Sequence, residues 1–212
     1  ELVEKLVSLL PTQPNVCSVG FLLAMLRAAI FIDASIVCRI DLEKRIGWQL
    51  EQAAVDDLLI PSYATSRVAA TDSDTTLFDL DTVARIVVSF LEHDRMRSEG
   101  DLLLDGAPDE MQSLFDLDQS STDPYSSSSP PSQSKIMKVA RLLDYFLAEV
   151  APDANLSAAK FTAFGELMPE YARVVDDGLY RAIDIYLKVS LHSFTLMLPS
   201  LGMLFPMPRL VL

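Results

Sequence analysis

Apolar residues recur along this chain at helical spacing, and the clearest run lies between residues 169 and 188, PEYARVVDDGLYRAIDIYLK. Leu179, Ala182, Ile183, Tyr186 and Leu187 stand at i, i+3, i+4, i+7 and i+8, which puts them on one helix face. Asp177 with Arg181, and Asp184 with Lys188, stand four apart with the acid first, an order that suits a solvated face. Asp176, Asp177 and Gly178 read as a turn and N-terminal cap. The stretch predicts a helix that closes an apolar core.

Other stripes lead up to it. Leu2, Leu6, Leu9 and Leu10 predict a short amphipathic helix that Pro11 stops. From Val19 to Ile32 the only charge is Arg27, so this helix is apolar nearly all round and should be buried; it is shorter than the roughly 20 residues a bilayer span needs. Asp33 to Ser35 read as a turn. Leu42, Ile46, Leu50 and Ala53 mark a helix from about Asp41 to Ala54, and Pro61 ends the unit after Asp56 and Asp57. Trp48 falls off that face and should pack a second helix. Residues 62–76 read as a polar loop, after which Asp81 would cap a helix with Val83, Ile86, Val87, Phe90 and Leu91 inward. Ile136, Val139, Ala140, Leu143, Leu147 and Val150 define a helix from Lys135 to Val150. Ser157 would cap the next, which carries Phe161, Phe164, Leu167 and Met168 and ends at Pro169.

Two stretches break the pattern. Residues 99–134 hold eight acids and no Lys or Arg, and end in a Ser- and Pro-rich run. Such a segment cannot bury enough apolar surface to offset its ordering entropy, so a disordered insertion is expected. After Lys188 the chain is apolar without a usable period, and its only charge is Arg209. Lys188-Val189-Ser190 can be encoded by AAG-GTA-AGT, which contains an intron 5′ boundary, so residues 189–212 read as translated intron; the alternative is a membrane-seeking tail anchoring a helical protein. The expected organisation is a first helical half over 1–98, the insertion over 99–134, a second helical half over 135–188, and the tail. The fold class is all-α: stacked amphipathic helices interrupted by a long acidic disordered loop.

Composition narrows the function. The formal net charge is −13, which disfavours nucleic-acid binding and repels anionic membranes, leaving membrane contact at most peripheral. Cys17 and Cys38 are the only cysteines, and the first residues lack the basic region and cleavage site of a secretory signal, which points to a reducing, cytoplasmic setting. No Met opens the sequence, so it reads as starting inside a larger protein.

Candidate chemistry is sparse. His93 and His192 are the only histidines, and neither CxxC nor HxxxH spacing occurs, so no metal site is expected. Cys17 and Cys38 read as small buried hydrophobes, with a redox pair as the alternative. There is no G-x-S-x-G elbow and no Gly-rich phosphate loop, so no catalytic residue and no cofactor is assigned. His93 lies in a charged run and reads as a solvated surface residue; an unrecognised hydrolase would have to use it. The paired carboxylates Asp56/Asp57 and Asp176/Asp177 read as caps. Arg173, Asp176 and Tyr180 have the spacing of a tyrosine-phosphorylation consensus, which makes Tyr180 the one candidate modification site, although a packing role at the stripe edge is the preferred reading. Ser126 to Ser129 are a second cluster that phosphate would only make more acidic.

Five blocks, in order, resemble the plant non-phototropic hypocotyl family. They are LLP with FLLAMLRAA (9–11 and 21–29), LEKRIGWQLEQAAVDDLLIP (42–61), Asp79-x-Asp81-x-Val83-x-Arg85-Ile86-Val87-x-x-Phe90, KVARLLDYFLAEVAPDANLSAAKF (138–161) and DGLYRAIDIYLK (177–188). Gly165 stands where the family suggests Ala. The resemblance implies part of the central helical domain of a BTB/POZ protein, hence a non-enzymatic substrate adaptor of a cullin-RING ubiquitin ligase in phototropic and auxin signalling. It implies photoreceptor kinases and ubiquitin-ligase targets as partners, with cullin reached only through a BTB domain absent from these residues. It places the protein in the cytoplasm or peripherally at the plasma membrane.

Overall fold

The computed structural model describes residues 2–62, 76–104, 131–173 and 177–202. These residues form eight α-helices: α1 (Leu2–Leu9), α2 (Val19–Phe31), α3 (Ile36–Gly47), α4 (Val55–Leu58), α5 (Leu80–Leu104), α6 (Pro131–Val150), α7 (Ala158–Gly165) and α8 (Asp177–Gly202). Short 3₁₀ turns at Leu50–Gln52 and Glu170–Ala172 complete the architecture. Among the described residues the only extended pairing is one antiparallel bridge, Pro61 to Phe78.

Caps explain most helix starts. Ser18 accepts from the Phe21 N–H at 3.3 Å, and Ser157 accepts from the Lys160 N–H at 3.3 Å, so each hydroxyl satisfies an amide its helix leaves unpaired. At α5 the cap is Asp79 rather than Asp81: its carboxylate accepts from the Thr82 N–H at 2.9 Å and from the Thr82 hydroxyl at 2.6 Å. Asp81 lies inside the first turn, where it faces the helix dipole favourably. The turn after α2 passes through Asp33, whose φ of 51° is the left-handed conformation that aspartate tolerates. α3 then begins at Ile36, ahead of Asp41, and breaks at Gly47 into the 3₁₀ turn instead of running to Ala54.

One apolar core spans both helical halves. It joins Leu22, Leu23 and Leu26 of α2, Leu42 and Ile46 of α3, Val83, Ile86 and Val87 of α5, Leu143, Phe146 and Leu147 of α6, and Ala182 of α8. The principal helix pairings are α6 with α8, α3 with α5, and α2 with α3. α2 is not buried all round: Phe21 and Phe31 are exposed, because only the Leu22–Leu26–Ala29 side meets α3 and the rest of the core. Polar links also cross between the halves. Lys135 pairs with Glu51 at 3.0 Å, and the Asp153 carboxylate accepts from the Leu77 N–H at 2.6 Å.

Both margins of the segment expected to be unordered are helical. α5 continues to Leu104, and α6 starts at Pro131, a residue suited to a first helical position because its ring presets φ and its missing N–H needs no partner there. Residues 105–130, with the Ser126–Ser129 cluster, lie outside the described residues. α8 does not stop at Lys188 but runs to Gly202, past Pro199, whose missing N–H leaves one carbonyl of the preceding turn without its helical donor. No helix among the described residues is long and apolar enough to cross a membrane, so the membrane-anchored reading finds no support there.

Two close crossings rest on glycines. A Cβ on Gly47 would stand 2.8 Å from the Ser89 Cβ and 3.0 Å from the Ile86 carbonyl of α5. A Cβ on Gly178 would stand 2.8 Å from the Asp144 Cβ of α6. A Cβ on Gly165 meets only the Leu179 Cδ1, at 3.9 Å, an ordinary contact. Gly178→Ala should therefore destabilise the fold by about 1–3 kcal/mol through overpacking, whereas Gly165→Ala should be neutral or stabilising by up to about 1 kcal/mol. Urea denaturation of both variants checks the contrast, and equal effects would contradict it.

Candidate partner-binding surface

Several polar residues of the family-like blocks are turned inward and do structural tasks. Arg27, the lone charge of α2, donates to the carbonyls of Asp56 and Asp57 at 2.8 and 2.6 Å and so fixes α4. Arg45 donates to the Leu10 carbonyl at 3.1 Å and pairs with Asp41 at 2.7 Å, tying the end of α1 to α3. Gln49 donates to the Cys17 carbonyl at 3.1 Å. Glu43, only 3% exposed, takes both Arg85 Nε and Nη2 at 2.9 Å and clamps α3 to α5. Its hydrogen bond raises the Arg85 pKa further above its usual range. Apart from the i,i+4 pair of Arg45 with Asp41, sequence spacing could not reveal these bonds, because their partners are distant in the chain.

A buried ion pair sits under α8. Arg173 and Asp144 meet at 3.1 Å with side chains 9% and 4% exposed. Arg173 also donates to the Met168 carbonyl at 3.4 Å, which ties the turn after α7 to α6. In the sequence Arg173 stood out only as part of a phosphorylation pattern, and Asp144 only as one letter of a block.

Above this pair α7, the following turn and α8 enclose an open cleft of about 1020 Å³. Phe161 and Tyr186 stack on its wall at 4.4 Å, and the Tyr186 hydroxyl donates to the Leu156 carbonyl at 3.0 Å, which holds the ring in place. Tyr180 lines the mouth and is 65% exposed, so it does not pack at the stripe edge as its sequence position suggested. The reason is the narrow contact of α8, which buries Ala182 fully and leaves the flanks of the stripe to the cleft.

The remaining sequence candidates do not assemble a reaction centre. His93 on α5 packs its ring on Trp48 at 5.8 Å, so it is half-buried rather than solvated, and Trp48 does pack a second helix. Asp57 accepts from the Ala54 N–H at 3.4 Å, as a cap does. Asp176 and the side chain of His192 lie outside the described residues. No group of three metal-ligating side chains occurs among the described residues. Cys17 and Cys38 are free thiols, the first half-buried and the second buried. Burial pushes the Cys38 thiol pKa up, with help from Glu4 and Asp41. Burial likewise raises Asp94.

Two predictions test this inventory. Arg173→Met should cost about 3–5 kcal/mol in urea denaturation because it removes the guanidinium that faces a buried carboxylate, while Lys188→Met, which breaks the exposed pair with Asp184, should cost under about 0.5 kcal/mol. Iodoacetamide should label Cys17 in the native protein and reach Cys38 only in denaturant, read by mass spectrometry. Equal labelling rates would contradict the placement of Cys38.

Comparison with known proteins converges on one family. The model of the NPH3 family matches residues 1–193. A BTB/POZ domain-containing protein of Arabidopsis thaliana is 45% identical over 187 residues, 88% of this chain and 26% of that protein. Root phototropism protein 3 of the same plant is 39% identical over 188 residues, 88% of this chain and 24% of that protein. The chain thus spans about a quarter of the length of these curated relatives. No solved structure matches. The blocks that carry the resemblance are those whose polar residues hold the helices together, and the chain belongs to the NPH3 family.

Proposed function

We propose that this chain is a non-catalytic, protein-binding part of a substrate adaptor for a cullin-RING ubiquitin ligase in plant phototropic and auxin signalling. A BTB domain elsewhere in the full protein would engage the cullin, and this helical unit would recruit ubiquitination targets or blue-light photoreceptor kinases, in the cytoplasm or at the inner face of the plasma membrane. Family membership supports the reading, as do relatives named for BTB/POZ domains and for root phototropism.

The observation that carries it is an apolar surface. Leu2 and Leu9 of α1, Phe31 at the end of α2, and Ile36 and Val37 at the start of α3 are 57–80% exposed. The Ser35 N–H donates to Glu4 of α1 at 3.0 Å, which brings the α2–α3 turn, with Phe31, Ile36 and Val37, against the first turn of α1, while Leu9 stands toward the Arg45 end of α3. Exposed apolar clusters of this kind mark protein interfaces. Glu4 gains from the same bond: the Ser35 amide holds its pKa near 2. Tyr180 remains the candidate for regulatory phosphorylation, since its ring is open to solvent. Tyr180→Phe should change partner binding in plant cells if the modification matters.

The adaptor reading is tested with the full-length protein carrying Ile36→Asp and Val37→Asp. Ubiquitin transfer to a photoreceptor-kinase target in a reconstituted cullin-RING reaction should fall at least tenfold, with cullin capture and the melting temperature unchanged. A lower melting temperature would identify the face as an internal interface, and undiminished transfer would remove it from recruitment.

A further inference from the structure

The cleft between α7 and α8 differs in character from the apolar face on α1–α3. Its floor is apolar and aromatic, with Phe161, Met168, Leu179, Ile183 and Tyr186, and nothing of the described chain fills it. Tyr180 and Leu187 stand at its mouth, 65% and 51% exposed. Together with the apolar floor they make a contiguous apolar groove, a feature that marks interaction sites.

The rim adds a sign. Among the lining residues the charged ones are Glu166, Glu170 and Arg173. Arg173 is neutralised by Asp144 at 3.1 Å and is nearly closed to solvent. Glu166 and Glu170 are exposed, and no ion pair among the described residues holds either. The mouth therefore carries two uncompensated carboxylates on a chain whose net charge is already −13. This field attracts a cationic segment and repels a second copy of the same chain.

Size and shape narrow the occupant further. The α8 wall runs from Leu179 to Leu187, about 12 Å at the helical rise, room for two to three turns of a second helix. A helix lying in an apolar groove presents anchors at i, i+3 or i+4, and i+7. We propose that the α7–α8 cleft is a docking groove for a short basic amphipathic helix of a partner protein, with the apolar row against Ile183 and Tyr186 and flanking Lys or Arg beside Glu166 and Glu170. The proposal rests on reading the chain as a protein-binding module and adds a second surface and a partner chemistry to it.

The test is a displayed library of 15-residue helical peptides with a fixed Leu row at i, i+3 and i+7, and flanks drawn from Lys, Arg, Glu and Ser. It is selected against the 212-residue chain and against Glu166→Lys/Glu170→Lys, an exposed double change that leaves the core untouched. Wild type should enrich Lys and Arg flanks, and the reversed variant should enrich Glu. Tyr180→Ala should weaken the selected basic peptide at least tenfold in fluorescence anisotropy, with an unchanged circular-dichroism melt. Identical flank enrichment on both proteins, or no enrichment on wild type, overturns the proposal. Sedimentation showing a dimer that Tyr180→Ala dissolves would assign the groove to a second copy and also overturn it. Peptide binding, with no ubiquitin transfer by the unmutated full-length protein, would leave the groove in place and remove the adaptor reading; transfer by that protein, with no peptide binding, would remove the groove alone.

Discussion

Asp144 is the point through which the second half of the fold is held. Its carboxylate is buried on α6, faces Arg173 at 3.1 Å, and lies under Gly178 at a distance that admits no Cβ. An ionised carboxylate in such a place is costly unless paired, and a guanidinium is the partner best able to meet it. Three requirements thus converge on one contact: an acid on α6, an arginine in the turn before α8, and a glycine in the first turn of α8. Removal of any one disturbs the approach of α8, the helix that forms a wall of the cleft. α8 in turn meets the core through Ala182, a small residue that permits close packing.

The first half repeats the device with different letters. Gly47 lets α3 cross α5 closely, and Glu43 with Arg85 locks the crossing. Neither ion pair need add much net stability over an apolar pair of the same shape, since desolvation offsets most of the attraction. What a paired charge adds is a cost for misassembly: an α3 rotated off its register would leave Glu43 buried without its arginine. Arginines that bind carbonyls work similarly. Arg27 holds the carbonyls of Asp56 and Asp57, and Arg45 those at the end of α1, so loops with few apolar contacts are still placed.

Periodicity foretold the helices that use it. The stripes Val83–Ile86–Val87–Phe90 and Ile136–Val139–Ala140–Leu143–Leu147–Val150 are buried as spaced, and Ser157 caps α7. The errors have physical causes. At α5 two acids compete two residues apart, and only the geometry of Thr82 decides for Asp79. At α3 the helix starts among Ile36, Val37 and Ile40, whose exposure hides them from any argument based on an inward stripe. The cleft was not legible at all, because its walls come from α7 and α8, and its emptiness is a property of their spacing rather than of any residue type. The family blocks were legible as a pattern, but not as bonds between specific helices.

This distribution of residues separates two kinds of constraint. Arg27, Glu43, Arg45, Gly47, Asp144 and Gly178 of the blocks are committed to internal contacts, so a substitution there acts first on folding. Exposed apolar and aromatic side chains stand apart from these contacts: Phe31, Ile36 and Val37 at one end of the bundle, Tyr180 and Leu187 at the other site. A scaffold gains from that separation. Its exposed anchors can change in size and flanking charge, and so in partner, while the Glu43–Arg85 and Asp144–Arg173 pairs keep the helices that present them in register. Specificity would then reside in exposed positions outside the blocks, such as Glu166 and Glu170, which the packing does not constrain.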